Sequence, residues 1–266
     1  SGGTTVVREI HGERNPLFPR MKRPEPIDDN LQDLLHEVRI WPGDVGLATD
    51  GDADRVGFVS EKGRFINQLE VYALLAYYLL EVRGWRGPLV KTLSTTSMAF
   101  KLGKLYDVPV YETGVGFKYV APEFLRTNAI LGGEESGGFA FANHIPERDG
   151  ILAGLFLLDL MVKQGKTPSQ LLETVFGLVG AHYYDRIDRQ LDPDDKPAVQ
   201  ARVKAARPTQ LAGLKVERVE TTDGYRYLLE GGDWVLIRFS GTEAVIRVYC
   251  ETTRKDKVQD LLNDGA

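Results

Sequence analysis

PLVKTLSTTSMAFKLGKLYDVPVYETGVGFKYVAPEFLRTNAILGG, residues 88–133, alternates short β-branched runs with stretches of helical spacing. Pro88 to Thr92, Val108 to Tyr111 and Ala129 to Gly132 read as buried strands, and Thr95 to Tyr106 and Gly116 to Arg126 as the helices between them. Helices over Glu70 to Arg83 and Gly150 to Gln164 bracket the stretch. Such alternation with short loops predicts an α/β/α sandwich on a mixed, mostly parallel sheet. In sheets of this kind ligands sit beyond the carboxyl ends of the strands. The loops Thr92 to Thr96, Glu112 to Lys118 and Gly133 to Gly138 are therefore expected to share one rim.

Upstream, Thr4 to Ile10 reads as a strand, followed by a Pro-rich charged loop and a helix over Asn30 to Val38 capped by Asp28 or Asp29. Strands Val45 to Ala48 and Val56 to Ser60 then hold a charged loop between them. From Gly177 the pattern changes to a run of strands with two helices, which predicts an α+β unit with an antiparallel sheet. Three units result: a partial α/β domain over 1–65, an α/β/α domain over 66–176 and an α+β domain over 177–266.

The 266 residues are 42% hydrophobic and 27% charged, an ordinary globular composition that excludes disorder, collagen-like repeats and coiled coil. A net charge of −5 gives no basic footprint for nucleic acid or an anionic membrane. The longest apolar run, Ile151 to Leu158 and then Leu160 to Val162, is shorter than the roughly 20 residues a membrane span needs. A single cysteine, Cys250, points to a cytoplasmic home without disulfides. Ser1-Gly2-Gly3 reads as a cut end rather than a signal peptide.

Three stretches carry chemistry. In Asp50-Gly51-Asp52-Ala53-Asp54-Arg55, alternate carboxylates converge on one centre, and their repulsion calls for a hard cation such as Mg²⁺ or Ca²⁺. Asp50, Asp52, Asp54 and Glu61 also fit EF-hand spacing, but Arg55 stands where that loop needs glycine and the flanks read as strands. Gly132 to Gly138 follows a strand and offers Glu134 and Ser136 to sugar hydroxyls, while Thr113 to Lys118 opens a helix whose free N–H groups and Lys118 favour an anion. Arg238-Phe239-Ser240-Gly241-Thr242-Glu243, with Arg247 nearby, has the guanidinium, hydroxyls and backbone N–H groups of a phosphate nest. Lys91, at a strand end, is a further candidate for the same rim. A divalent metal, a polyol reader and a phosphate clamp together describe a sugar-phosphate site.

The order and wording of these stretches resemble the α-D-phosphohexomutases. The family's D-G-D-x-D-R metal loop is matched at Asp50 to Arg55, its G-E-x-S-G sugar loop at Gly133 to Gly137 and its R-x-S-G-T-E phosphate loop at Arg238 to Glu243. Asn143 to Gly150 looks more like the phosphoglucomutase branch, with Arg148 where that branch has Lys or Arg. The resemblance implies Mg²⁺ held by Asp50, Asp52 and Asp54, hexose hydroxyls on Glu134 and Ser136, and the distal phosphate on Arg238, Ser240, Gly241 and Thr242. It implies supporting roles at the reacting centre for Arg55, Lys118 and Arg148. The family's phosphorylated serine lies in a T-A-S-H-N-P-like segment, and none of the seven serines here has that context. The implied partners are a hexose phosphate and the family's missing N-terminal domains. The alternative is a non-catalytic sugar-phosphate-binding or regulatory protein.

Overall fold

A computed structural model describes residues 5–19, 21, 23–240 and 244–266. The first unit holds helix α1 (Gln32–Ile40) against strands β1 (Val45–Thr49), β2 (Val56–Ser60) and β3 (Phe65–Ile66), an antiparallel sheet in that order. Leu31, Leu35, Val38 and Val59 form its small core. The register pairs Thr49 with Val56, so the charged loop 50–55 is the tip of a hairpin. Two expectations fail here. Of the strand expected over Thr4 to Ile10, Thr4 lies outside the described residues, and residues 5–10 form no strand and lie mostly exposed, since among the described residues no strand pairs with them to complete a ladder. Asp28 to Asn30 form a 3₁₀ turn, and α1 begins after Leu31 with no side-chain cap.

The second unit begins at Asn67, whose side chain accepts from the Leu69 and Glu70 N–H groups while Glu70 reaches back to the Asn67 N–H, a capping box. The helix it starts, α2 (Gln68–Tyr77), is buried at every residue and runs into a π-helical turn over Tyr78–Val82. It is the central helix of the core. Then come β4 (Leu89–Thr92), α3 (Met98–Tyr106), β5 (Val110–Thr113), α4 (Phe117–Thr127), β6 (Leu131–Gly133), β7 (Phe139–Phe141), α5 (Gly150–Gln164) and α6 (Pro168–Val179). The sheet order is β5-β4-β6-β7, with β5, β4 and β6 parallel and β7 antiparallel at the edge. This is the mixed, mostly parallel sheet expected from residues 88–133. The short strands β3 and β7 and helix α6 were not anticipated; in the strands, two or three residues show no periodicity.

The third unit contains β8 (Tyr183–Gln190), α7 (Lys196–Ala205), β9 (Gln210–Leu211), β10 (Leu214–Glu220), β11 (Tyr225–Leu229), β12 (Trp234–Phe239), β13 (Val245–Thr252) and α8 (Val258–Gly265). Its strands form one antiparallel sheet, ordered β8-β13-β12-β11-β10-β9. Val235, Val248, Cys250, Leu261 and Leu262 build the core on the helix side. On the opposite face Trp234, Leu236 and Tyr249 pack with Leu69 and Leu93 of the α/β unit.

Two carboxylates fasten these units, Glu112 half-buried and Glu251 buried. Glu112 binds Lys91 Nζ at 2.6 Å and takes two bonds from Arg226, which also reaches the Leu93 carbonyl at 3.0 Å. Glu251 is fully buried and accepts from Thr96 Oγ1, Ser97 N–H and hydroxyl, and Trp234 Nε1. Lys101 Nζ lies 2.8 Å from His182 Nε2, and His182 Nδ1 lies 3.5 Å from Glu251. These bonds also explain why α3 starts at Met98 instead of Thr95. Lys91 does not stand on the open rim: it is 1% exposed, with its ammonium held by Glu112 and the Thr92 and Thr95 carbonyls.

Burial works to raise both acids, but Lys91 and Arg226 hold Glu112 at about 2, and His182, Ser97 and Thr96 hold Glu251 at about 2. A carboxyl depressed in the folded state stabilises above its ordinary value near 4.5 and loses that contribution as pH falls toward 2. Acid titration is therefore expected to loosen the α/β unit from the C-terminal sheet between those limits, read by Trp234 fluorescence. Glu251→Ala should cost about 3–5 kcal/mol in urea unfolding at neutral pH, because it strands buried donors.

Candidate functional site

The metal-loop hairpin turns on Ala53, which takes a left-handed backbone (φ 60°), and on Ala53 N–H bonding the Asp50 carbonyl at 3.3 Å. Asp50, Asp52 and Asp54 each bring a carboxylate oxygen within 4.8 Å of the others. Asp50 is buried and accepts from the Arg55 N–H at 3.1 Å and from Arg55 Nε. Burial and the hydrogen bond and charge of Asp50 push the Asp54 carboxyl up to about 6, with Arg148 opposing. Hard oxygen donors that crowd one another in this way suit Mg²⁺, which takes carboxylates and keeps some of its water.

The sugar loop is a tight turn between β6 and β7, closed by Gly137 N–H on the Glu134 carbonyl at 3.1 Å. Its glycines are dictated by packing: a Cβ on Gly133 would lie 2.7 Å from both Phe139 and Tyr72. A backbone bridge joins Arg55 to Gly138, and Val56 N–H donates to the Gly137 carbonyl at 3.1 Å. Metal loop and sugar loop are thus one continuous piece of structure. Arg148 spans them, with NH2 on Asp54 at 2.6 Å and NH1 on Glu134 at 3.1 Å, and its guanidinium lies over the Phe117 ring at 5.4 Å. The Ser136 hydroxyl is buried and meets no hydrogen-bond partner among the described residues. A cavity of about 610 Å³ opens beside it, walled largely by the first unit from Glu25 to Asp29 and from Lys62 to Phe65, and reaching Arg55, Glu135, Ser136 and Arg186; Asp50, Asp52, Asp54, Glu134 and Arg148 do not line it.

On the C-terminal sheet Arg238 and Arg247 stand directly opposite each other on β12 and β13. Like charges in that position repel, and here each arginine is paired with an aspartate. Asp188 binds Arg247 at 3.3 Å and Arg186 at 2.9 Å, and Arg186 with Tyr184 holds Glu135 of the sugar loop. Arg238 Nε binds Asp223 at 3.1 Å, and Asp223 accepts the Val115 N–H at 2.8 Å. Val115 leads to Phe117 under Arg148, which closes a ring of contacts from the metal loop through sugar loop, arginine pair and α4. Ser240 is buried, and its carbonyl accepts Lys196 Nζ at 2.9 Å. Lys118 is exposed on the first turn of α4, its ammonium 5.0 Å from the Tyr119 ring. Gly241 and Thr242 lie outside the described residues.

Of the residues singled out from sequence, the structure brings Asp50, Asp52, Asp54, Arg55, Glu134 and Arg148 into direct contact or close approach, with Ser136 in the adjoining turn. Lys91 is set apart as a buried ion-pair residue. Sequence reading missed Asp188, Arg186 and Glu135, whose pairing links strands distant in the chain. It also missed Gly150, whose N–H donates to the Ala53 carbonyl at 3.0 Å. A Cβ there would lie 2.4 Å from the Arg55 carbonyl oxygen. Gly150→Ala is therefore expected to destabilise by about 1–3 kcal/mol in chemical denaturation, although helix propensity alone favours alanine by about 1 kcal/mol. Mg²⁺ affinity measured by calorimetry should fall with it, since the loop loses its support.

An acidic hairpin that meets the glycine-rich polar turn of an α/β/α unit, itself docked on a sheet bearing paired arginines, is an architecture with known counterparts. Residues 2–63, 68–178 and 195–265 match, respectively, alpha/beta/alpha domains II and III and the C-terminal domain of phosphoglucomutase/phosphomannomutase. A phosphoglucomutase/phosphomannomutase of Thermococcus kodakarensis is 34% identical over 99% of this chain and 55% of its own length. A phosphoglucosamine mutase of Methanocaldococcus jannaschii is 32% identical over 91% of this chain and 53% of its own. A crystal structure of a Thermus thermophilus protein assigned as a phosphomannomutase superposes with a TM-score of 0.77 at 37% identity, covering 91% of this chain and 49% of that one. The chain belongs to the phosphoglucomutase/phosphomannomutase family, in the α-D-phosphohexomutase superfamily. It spans about half the length of the curated relatives it matches.

Proposed function

We propose that this chain is the metal-, sugar- and phosphate-binding portion of a hexose-phosphate mutase that interconverts hexose 1-phosphate and hexose 6-phosphate, glucose being the favoured hexose. The observation that carries the reading is Arg148, one guanidinium shared by a carboxylate of the acidic hairpin and the carboxylate of the sugar turn. Asp50, Asp52 and Asp54 hold Mg²⁺, which when bound neutralises charge on the phosphoryl group in transfer. Glu134 accepts sugar hydroxyls and Ser136 offers its unpartnered hydroxyl. Arg238, Ser240, Gly241 and Thr242, with Arg247, grip the phosphate that is not in transfer. Arg55 and Arg148 hold the hairpin carboxylates, and Lys118 faces anionic substrate from the first turn of α4.

The hexose passes through a 1,6-bisphosphate and turns over in the cleft, so that each phosphate visits the clamp. None of the seven serines among these 266 residues has the T-A-S-H-N-P-like context of the family's phosphorylated serine, so on this reading none of them gives and takes the phosphoryl group. Glucose is favoured because mannose-type members often carry His after the sugar-loop glycine. Here Gly138 stands there, and any Cβ would lie 2.2 Å from Arg148 Cδ. Among the described residues no helix is long and apolar enough to cross a membrane, and Cys250 is free and buried. A reducing, cytoplasmic setting fits both.

Calorimetry with glucose 1-phosphate in Mg²⁺ is expected to show binding that Arg238→Ala weakens at least about tenfold, the loss of a charge-assisted bond pair. Mannose 1-phosphate should bind more weakly than glucose 1-phosphate. A coupled glucose 1-phosphate to glucose 6-phosphate assay on this chain should give no turnover; robust turnover would place the nucleophile inside it.

A further inference from the structure

The turn between β10 and β11, Thr221-Thr222-Asp223-Gly224, has the Asp-Gly pair of an ordinary hairpin, and an aspartate there usually serves its own turn. In this chain both carboxylate oxygens are engaged elsewhere, on two different units. Oδ1 accepts from Arg238 Nε at 3.1 Å, across to β12. Oδ2 accepts from the Val115 N–H at 2.8 Å, in the loop that opens α4 of the α/β unit. Gly224 lets the turn press against β12: its φ is 98°, and a Cβ would lie 2.5 Å from the Ile237 carbonyl oxygen, next to Arg238.

The two ends of this carboxylate are distinct parts of the site. Arg238 is the phosphate-gripping residue of the reading above; among the described residues its bond to Asp223 runs through Nε, and the two terminal nitrogens have the geometry to fork on phosphate. Val115 precedes Gly116, Phe117 and Lys118. Phe117 lies under Arg148 and Lys118 is the cation of that loop. We propose that Asp223 is a positioning residue that makes phosphate capture by Arg238 and the setting of the 113–118 loop a single event, so that the clamp on one unit orients the substrate-facing turn of the other. This rests on the reading that Arg238 holds a substrate phosphate. Asp223 itself stays clear of the ligand and acts through its two donors.

The chemistry makes the bond pair hard to replace. Both partners are donors, so the site needs an acceptor at each oxygen. Asparagine offers one acceptor and one amino group, and whichever way its amide is turned, one of the two bonds is lost. Glu112 with Arg226, and Glu251 with Ser97, also cross between the units, so the docking of the units does not depend on Asp223 alone.

The test is a glucose 1-phosphate titration of the ¹⁵N-labelled chain in Mg²⁺, following the Arg238 Nε–H and Val115 N–H resonances. In the wild type both are expected to shift with one midpoint. In Asp223→Asn the Arg238 signal should still shift, the Val115 amide should stop responding, and affinity should fall about tenfold at an unchanged unfolding temperature. A Val115 amide that is silent in the wild type while Arg238 responds, or one that still follows the ligand in Asp223→Asn, overturns the coupling. Silence of both groups in the wild type overturns the phosphate reading beneath it. The wild-type titration decides the matter even if the variant does not fold.

Discussion

The Arg148 guanidinium, held between Asp54 and Glu134, is the interaction on which the rest of the site depends. Without it four carboxylates from two loops would face one another across a narrow gap, with Arg55 alone to offset them. Its demands reach outward into the sequence. Gly138 is glycine because the Arg148 side chain occupies the space a Cβ would take, and Gly150 is glycine because α5 must start against the Arg55 backbone. Phe117 supplies the ring on which the guanidinium rests. On the proposed reading, a cation arriving at the acidic hairpin would meet arginines already in place and would share the carboxylates with them.

A second constraint sits behind the site. The α/β unit and the C-terminal sheet touch through a modest apolar patch, Leu69, Leu93, Trp234, Leu236 and Tyr249, and through ion pairs. Buried ion pairs specify geometry more than they add stability, since desolvation offsets much of their attraction. Glu112 meets Arg226, and Glu251 meets the Thr96 hydroxyl and the Ser97 N–H and hydroxyl, so directional bonds as well as the ion pair hold the sheet against the α/β unit. The same docking sets Glu135 on Arg186 and Asp223 on Val115, which draws the arginine pair of β12 and β13 into the ring that begins at the metal loop.

What was legible in the sequence was what is local. Alternation of strands and helices over 88–133 gave the parallel sheet, and carboxylates at alternate positions after a short apolar strand gave the cluster of Asp50, Asp52 and Asp54, because both are written within a few residues. The failures share a cause. Thr4 to Ile10 has a strand's composition, but among residues 5–10 no ladder forms, since a strand needs a neighbour that composition does not guarantee. Lys91 sits at the end of a strand, which suggested an open rim, yet Glu112 on the adjacent strand draws it inward. Partners such as Glu112 and Arg226, or Ser97 and Glu251, are more than a hundred residues apart and leave no mark on local pattern. Asp223 was hidden differently, in a dipeptide that turn chemistry already explained.

The central claim is that hairpin, sugar turn and arginine clamp act on one hexose phosphate. The most direct measurement is paramagnetic relaxation by Mn²⁺, substituted for Mg²⁺ in the chain, on the proton and phosphorus signals of bound glucose 1-phosphate. The account predicts strong broadening that disappears in Asp52→Asn, while an excess of Mg²⁺ restores narrow lines in the unaltered chain. Glucose 1-phosphate that binds without any Mn²⁺-dependent broadening would contradict it, because metal and sugar would then occupy separate sites.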